Sequence, residues 1–394
     1  MKLYAQNGFG LGDKLNIGLD EKLLHGGIFS PKDLHLTTMK DKIDEIRGSF
    51  PEADILIDPQ FYVSLFADGP NTNAGHLPEW SYFRSYRKSE LEITKTVRKV
   101  LEECLRSIAK FDVTGVIAPN LHISQSLDSR EAVIAKSFIR EARDVYAKLK
   151  DKRPLYASLV ICREALQDRR EFEEFINDIT MLDAPPDGIY LIIAGRSAEA
   201  RSDFFHADVI ANWMLLNLSL SVNGMEVING YSDILTPFLG VAGGTAGATG
   251  WWSNLRMFSM GRFFPAGAGG RLPITRYLSK LLLNRITFSE KEAIAPFVPE
   301  VINGLPHDAD YDPEPERAKE VLQSWEALRS LTETIVSDDI KAGIGKCRKA
   351  IEGARQAYAD IAAVGVALDS KSRDDHVEPL GEALKQFEER AELG

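Results

Sequence analysis

Along this chain, short apolar runs end in polar or turn-forming residues and give way to stretches whose apolar positions recur at helical spacing. Seven runs stand out: Gly26 to Pro31 (GGIFSP), Asp54 to Gln60 (DILIDPQ), Thr114 to Asn120 (TGVIAPN), Leu155 to Arg163 (LYASLVICR), Gly188 to Arg196 (GIYLIIAGR), Met225 to Asp233 (MEVINGYSD) and, with the weakest pattern, Ala246 to Trp252 (AGATGWW). Apolar runs bounded by turn residues fit strands buried on both faces. Their alternation with amphipathic stretches is the βα repeat of a parallel sheet. Cap signals support the helices: Ser89 with Glu92 precedes one long amphipathic stretch and Asp128 with Glu131 the next, each with capping-box spacing.

An open doubly wound sheet and a closed (βα)8 barrel share this repeat. In a dinucleotide-binding open sheet the glycine-rich turn follows the first strand. Here the glycines cluster after the sixth run, near the strands where barrels often bind phosphate. The pattern therefore predicts an α/β fold with a (βα)8 TIM-type barrel over residues 1–306, the open doubly wound sheet being the alternative. The eighth strand comes either from the N-terminal MKLYAQ or from LPITRYL, residues 272–278. The segment 61–89 is longer than an ordinary loop and predicts an insertion over one end of the barrel.

Beyond Pro313 only helical spacing remains, with Val321, Leu322, Trp325, Leu328 and Leu331 on one stripe. Residues 307–394 thus form a helical extension that either covers the barrel or meets a protein partner or second copy of the chain. Asp369 to Pro379 (DSKSRDDHVEP) reads as a hydrophilic linker before the last helix.

Charge sharpens the division. Of the formal net −11, residues from His307 onward supply −8, with 20 Asp and Glu against 12 Lys and Arg. No carboxylate lies between Asp233 and Glu290, whereas Arg256, Arg262, Arg271, Arg276, Lys280 and Arg285 do. The acidic total argues against a general nucleic-acid coat, so nucleic-acid contact is expected only through the local basic patch 256–285. No apolar run is long enough to span a bilayer and the first residues lack a signal peptide's apolar centre, so no membrane partner and a cytoplasmic location are expected.

In a barrel, chemistry gathers where strands end at their carboxyl side. Asp58, held at a strand tip before Pro59, is the leading catalytic candidate, as base or nucleophile; the alternative is a side chain capping its own turn. Gln60 accompanies it as a ligand contact. Asn120 could orient a substrate oxygen or stabilise a turn. Arg163 and Arg196 end the fourth and fifth runs, where a guanidinium can grip phosphate or carboxylate, or can fasten loops. Asp233 offers a second carboxylate, or an N-cap for the next helix.

The glycine-rich stretch carries the ligand expectation. Gly243, Gly244, Gly247 and Gly250 could expose backbone N–H groups as an anion nest, with Trp251 as a wall and Ser253, Asn254 and Arg256 on the first turn of the following helix. The competing reading is tight packing of strand on helix. The three cysteines, Cys104, Cys162 and Cys347, are too few and scattered for a disulfide framework, and the seven histidines show no His-x-x-x-His pair, so no metal and no zinc site are expected. A Gly-x-Ser-x-Gly elbow is missing, and GGTAGATG lacks the Lys-Ser/Thr ending of a phosphate loop.

These features leave any cofactor open and predict an enzyme, hydrolase or transferase, acting on a phosphate-bearing small molecule or nucleotide. One alternative is a non-catalytic barrel subunit of a larger assembly. Another is a base-exchange barrel of the tRNA-guanine transglycosylase kind, a fold-level analogy in which strand-tip aspartates and basic surface recur; this chain lacks that family's zinc-binding cysteine cluster.

Overall fold

The computed structural model describes residues 1–394 except 9, 11, 200, 266–272, 312–314 and 394, and except the side chain of residue 201. Eight parallel strands form the centre: β1 (Lys2–Gln6), β2 (Gly26–Phe29), β3 (Asp54–Ile57), β4 (Val116–Ala118), β5 (Leu155–Cys162), β6 (Gly188–Gly195), β7 (Glu226–Gly230) and β8 (Ala246–Thr249). Helices α1 (Lys14–Asp20), α2 (Leu36–Ser49), α3 (Thr94–Ile108), α4 (Arg130–Ala147), α5 (Arg169–Thr180), α6 (Ala207–Val222) and α7 (Thr236–Val241) alternate with them. Apart from β3 and β4, each strand pairs with its sequence neighbours, and β1 also pairs with β8, Leu3 opposite Gly247. The ring is completed between β3 and β4 by Thr114, whose N–H donates to the Ile55 carbonyl and whose hydroxyl accepts from the Ile55 N–H, both at 2.9 Å. The fold is a nearly closed (βα)8 TIM-type barrel.

MKLYAQ supplies the first strand. LPITRYL lies elsewhere: Arg276–Ser279 (β9) pairs antiparallel with Asn284–Thr287 (β10) in a separate hairpin. Both expected capping boxes are displaced. The helix expected after Ser89 begins at Thr94, following a short turn of helix, Lys88–Leu91, that is boxed by Arg87 and Glu90. Ser129, not Asp128, caps α4 by accepting from the Ala132 N–H, because Asp128 is taken up by Ser126.

The C-terminal helices α8 (Arg317–Ile335), α9 (Ile340–Ala363) and α10 (Val377–Arg390) lie against the barrel's own helices. Trp325, fully buried, packs on α1 at Gly18, where an added Cβ would come within 3.0 Å of its ring. Arg390 of α10 donates to Asn212 and Asp208 of α6. The stripe through Leu322, Trp325 and Leu328 is therefore covered within the chain. Nor is the 369–379 stretch a solvated linker: Ser372 and His376 are fully buried and Asp369 is bonded to Arg276. No helix among the described residues is long and apolar enough to cross a membrane.

Candidate functional site

Side chains from strands that are not neighbours can meet only inside the barrel. At the N-terminal end the Tyr4 hydroxyl donates to Asp54 at 2.9 Å and that of Tyr156 to Glu226 at 2.7 Å. Further along the axis the Tyr190 hydroxyl reaches Gln6 at 3.3 Å. At the C-terminal end stands Asp58, fully buried, with one carboxylate oxygen accepting the Gln60 N–H at 3.0 Å and the other the Tyr62 hydroxyl at 2.9 Å. Removal from water raises its carboxyl to about 6, against the pull of those two bonds and the Arg262 charge.

The barrel mouth above Asp58 is filled by the chain itself. After β8 the backbone returns across the barrel, and Phe258–Ser259 adds a short parallel strand to the end of β6. Phe258 and Phe263 pack edge-on to Tyr62, with ring centres 5.5 and 5.8 Å away, and Phe258 also contacts Tyr231 at 5.0 Å. Arg262, almost wholly buried, donates to the Tyr231 hydroxyl at 2.5 Å and to Asp33 at 2.7 Å.

The open space lies to one side of this plug. A cavity of about 430 Å³ is bounded by the loops after β6, β7 and β8, by the β9–β10 hairpin, and by α8 and the segment before α10. Phe204, Phe205, Trp213, Tyr231, Trp251 and Trp252 give it aromatic walls. The turn after β7 aims side chains into it at a conformational cost, since Tyr231 and Asp233 sit at φ +56° and +41°. Left-handed backbone is uncommon for residues with a Cβ and costs about 1–3 kcal/mol each, so the turn persists only because its contacts hold it.

Those contacts are ionic. Asp233 accepts from both terminal nitrogens of Arg285, at 2.5 and 2.9 Å, and from the Thr249 hydroxyl at 2.6 Å. Burial alone would raise its carboxyl, but the Arg285 charge overrides this and holds it below the usual range. Arg256 is less well matched. It donates to the carbonyls of Gly250 and Trp251, and its carboxylate partner Glu320 lies 3.3 Å away. Burial, and then the nearby Arg285 charge, push its guanidinium below the ordinary value. Arg285 Nε is buried without a hydrogen-bond partner among the described residues. Arg256 and Arg285, 15% and 11% exposed, thus stand beside the aromatic walls, each with a carboxylate partner that also lines the cavity.

The structure gathers only some of the sequence candidates here. Asp233, Trp251, Ser253 and Arg256 line the cavity; Asn254 is exposed outside it. Asp58 does not line it. Gln60 ties loops together, its amide donating to Ser30 and accepting from the Lys32 N–H. Asn120 is consumed by the Ala135 and Ser158 carbonyls and the Leu121 N–H. Arg163 and Arg196 both bind the buried Asp203 and so fasten the loops after β5 and β6.

The glycine nest is not formed. Gly243 and Gly244 precede β8 and so lie at the opposite end of the barrel, where they close α7 by donating to Gly240 and Leu239. Gly247 lies within β8, and a Cβ there would meet Thr236 at 2.5 Å; at Gly250 it would meet Leu255 at the same distance. Close packing, not anion contact, requires these glycines.

The basic run is also compensated in space. Asp33 reaches Arg262, Glu320 reaches Arg256, Asp369 reaches Arg276 and Asp233 reaches Arg285, while Lys280 donates to Ser330. Arg271 lies outside the described residues. Sequence reasoning missed Glu199, Asn284, Arg317, Glu320 and Lys371 as cavity residues. Arg276 and Arg285 were visible only as surface charge. Nothing local marks any of them, because they arrive from the β6 loop, the hairpin and the tail.

No protein-family model matches the chain. No curated protein matches it. Among solved structures it is similar to a dihydrodipicolinate synthase from Oceanobacillus iheyensis, at 12% identity over 92% of this chain and 96% of that chain, with a TM-score of 0.24. So low a TM-score carries no weight beside the strand order, and the barrel assignment rests on the topology described above.

Proposed function

We propose that this chain is a TIM-barrel enzyme that takes a phosphate-bearing small molecule of the nucleotide kind in the lateral cavity at the carboxyl ends of β6, β7 and β8. The observation that carries the reading is the presence of Arg256 and Arg285 beside an aromatic wall in one cavity. Binding sites of this size are mostly apolar with a few convergent polar groups, and guanidinium groups suit phosphate through their fixed donor geometry. A bound anion near Arg256 would offset the repulsion between its guanidinium, whose partner Glu320 stands 3.3 Å away, and that of Arg285, which Asp233 already holds. Trp251 and Trp252 suit a planar ring. Asp233, already bound twice by Arg285, serves as a positioning residue for that guanidinium, and the left-handed turn that carries it belongs to the same device.

Calorimetric titration with a nucleoside 5′-monophosphate, the free nucleoside and inorganic phosphate tests the reading. The monophosphate should bind more tightly than either part, and Arg256→Gln should weaken the monophosphate while leaving the nucleoside unchanged. Equal responses of wild type and Arg256→Gln to all three would refute it.

A further inference from the structure

Away from the cavity, three metal-ligating side chains converge on the β2–β3 side of the same barrel face. His35 stands immediately before α2, His76 immediately before the short turn Leu77–Glu79 in the 61–89 insertion, and Glu79 at that turn's end. The Nδ1 atoms of His35 and His76 approach the same Glu79 oxygen, Oε1, at 2.7 and 2.9 Å, and the two rings lie 3.6 Å apart. We propose that His35, His76 and Glu79 bind one divalent transition-metal ion of the zinc class, joining the insertion to α2.

The backbone is built to bring these groups together. His76 donates its N–H to the Lys32 carbonyl at 3.0 Å, which lays the insertion against the β2–α2 loop. Gly75 makes that approach with φ +55°, and a Cβ there would stand 2.2 Å from the Lys32 oxygen, so no other residue fits. The second oxygen of Glu79 accepts the Leu36 N–H at 3.0 Å, which orients the carboxylate and leaves Oε1 for the histidines. This is the outer-shell support that metal ligands usually have.

The donor set has the right chemistry. Two imidazoles and one carboxylate suit zinc and its neighbours, with bonds of about 2.0–2.2 Å and water completing the sphere. In that geometry ligand atoms stand about 3.3 Å apart. The two Nδ1 atoms stand 2.7 and 2.9 Å from Glu79 Oε1, and the side chains are exposed enough for these distances to open by the remaining fraction of an ångström. An ion replaces the two Nδ1 protons that otherwise point at one oxygen. It then ties together two segments already joined by the His76–Lys32 and Glu79–Leu36 hydrogen bonds.

The test is titration of the chelator-treated full chain with Co2+, read by visible absorption, followed by competition with Zn2+. One equivalent of Co2+ should give the spectrum of a low-symmetry nitrogen and oxygen site and be displaced by Zn2+. Hydrogen exchange in the insertion should slow when Zn2+ is bound. His76→Ala and Glu79→Gln should each weaken binding by at least the roughly 10- to 100-fold that loss of an outer-shell partner costs. His206→Ala, at a half-buried histidine elsewhere, should not. Failure to bind Co2+ and Zn2+, or binding that these two variants leave intact, would overturn the proposal.

Discussion

Arg285 grips Asp233 with both terminal nitrogens across 52 residues of chain, Nη1 to Oδ2 at 2.5 Å and Nη2 to Oδ1 at 2.9 Å. This pair joins the hairpin to the turn after β7 and forms one wall of the cavity. Breaking a buried pair from one side leaves a charge without compensation, at about 3–5 kcal/mol. Arg285→Ala should therefore cost about that much in denaturant unfolding, and Asp233→Ala/Arg285→Ala together clearly less than the sum of the single changes. Additive losses would mean the two side chains act independently.

The same carboxylate has a pH signature. The folded state holds the Asp233 carboxyl below its unfolded value of about 3.9, so its contribution is complete above that pH and is lost as pH falls through the folded value. Asp58 behaves oppositely. Its carboxyl is raised to about 6, so the favourable protonated form is complete below about pH 4 and its contribution is lost as pH rises through 6. Relative to Asp58→Asn, the wild type should lose about 2 kcal/mol of unfolding free energy between pH 4 and pH 7. Parallel stability curves for the two proteins across that range would contradict the burial argument. Because Asp58 does not line the cavity, nucleotide affinity should be unaffected by Asp58→Asn.

The barrel was legible because buried strands leave a local trace: continuous apolar runs such as Leu155 to Cys162 separated by helical spacing. The role of MKLYAQ was not, since a first strand paired with the last is decided by ring closure and not by its own residues. The cavity was legible only through Asp233, Trp251, Ser253 and Arg256. Its other charges come from contacts such as Lys371 with Glu199, 172 residues apart, which no spacing rule reaches. The carboxylate-free interval misled for the same reason, because Asp33 meets Arg262 across 229 residues. Gly243 and Gly244 misled because a glycine's place before or after a strand decides which end of the barrel it occupies. His35 and His76 lacked any ligand spacing because a barrel loop and an insertion bring them together.

The C-terminal helices should behave as part of the barrel's core. Trp325→Ala removes a fully buried ring packed on Gly18 and should cost about 3–5 kcal/mol. Deleting the residues after 314 should give aggregated protein in light scattering, since it strips cover from α1, α6 and the hairpin. A folded, monodisperse truncation would show instead that the helices are dispensable.

Stacking on the cavity wall makes a separate prediction. Trp252 lines the cavity and is only partly buried, so Trp252→Ala should leave stability nearly unchanged. It should weaken nucleoside monophosphate binding by about 1–3 kcal/mol, the usual worth of an aromatic stacked on a base. Unchanged affinity would place the ring of the ligand elsewhere.

A crystal structure of the full chain soaked with a nucleoside 5′-monophosphate tests the central claim most directly. The account predicts density in the lateral cavity, with phosphate oxygens within hydrogen-bond distance of Arg256 or Arg285 and the base against Trp251 or Trp252. An empty cavity at saturating ligand, or a nucleotide bound at another surface, would contradict it.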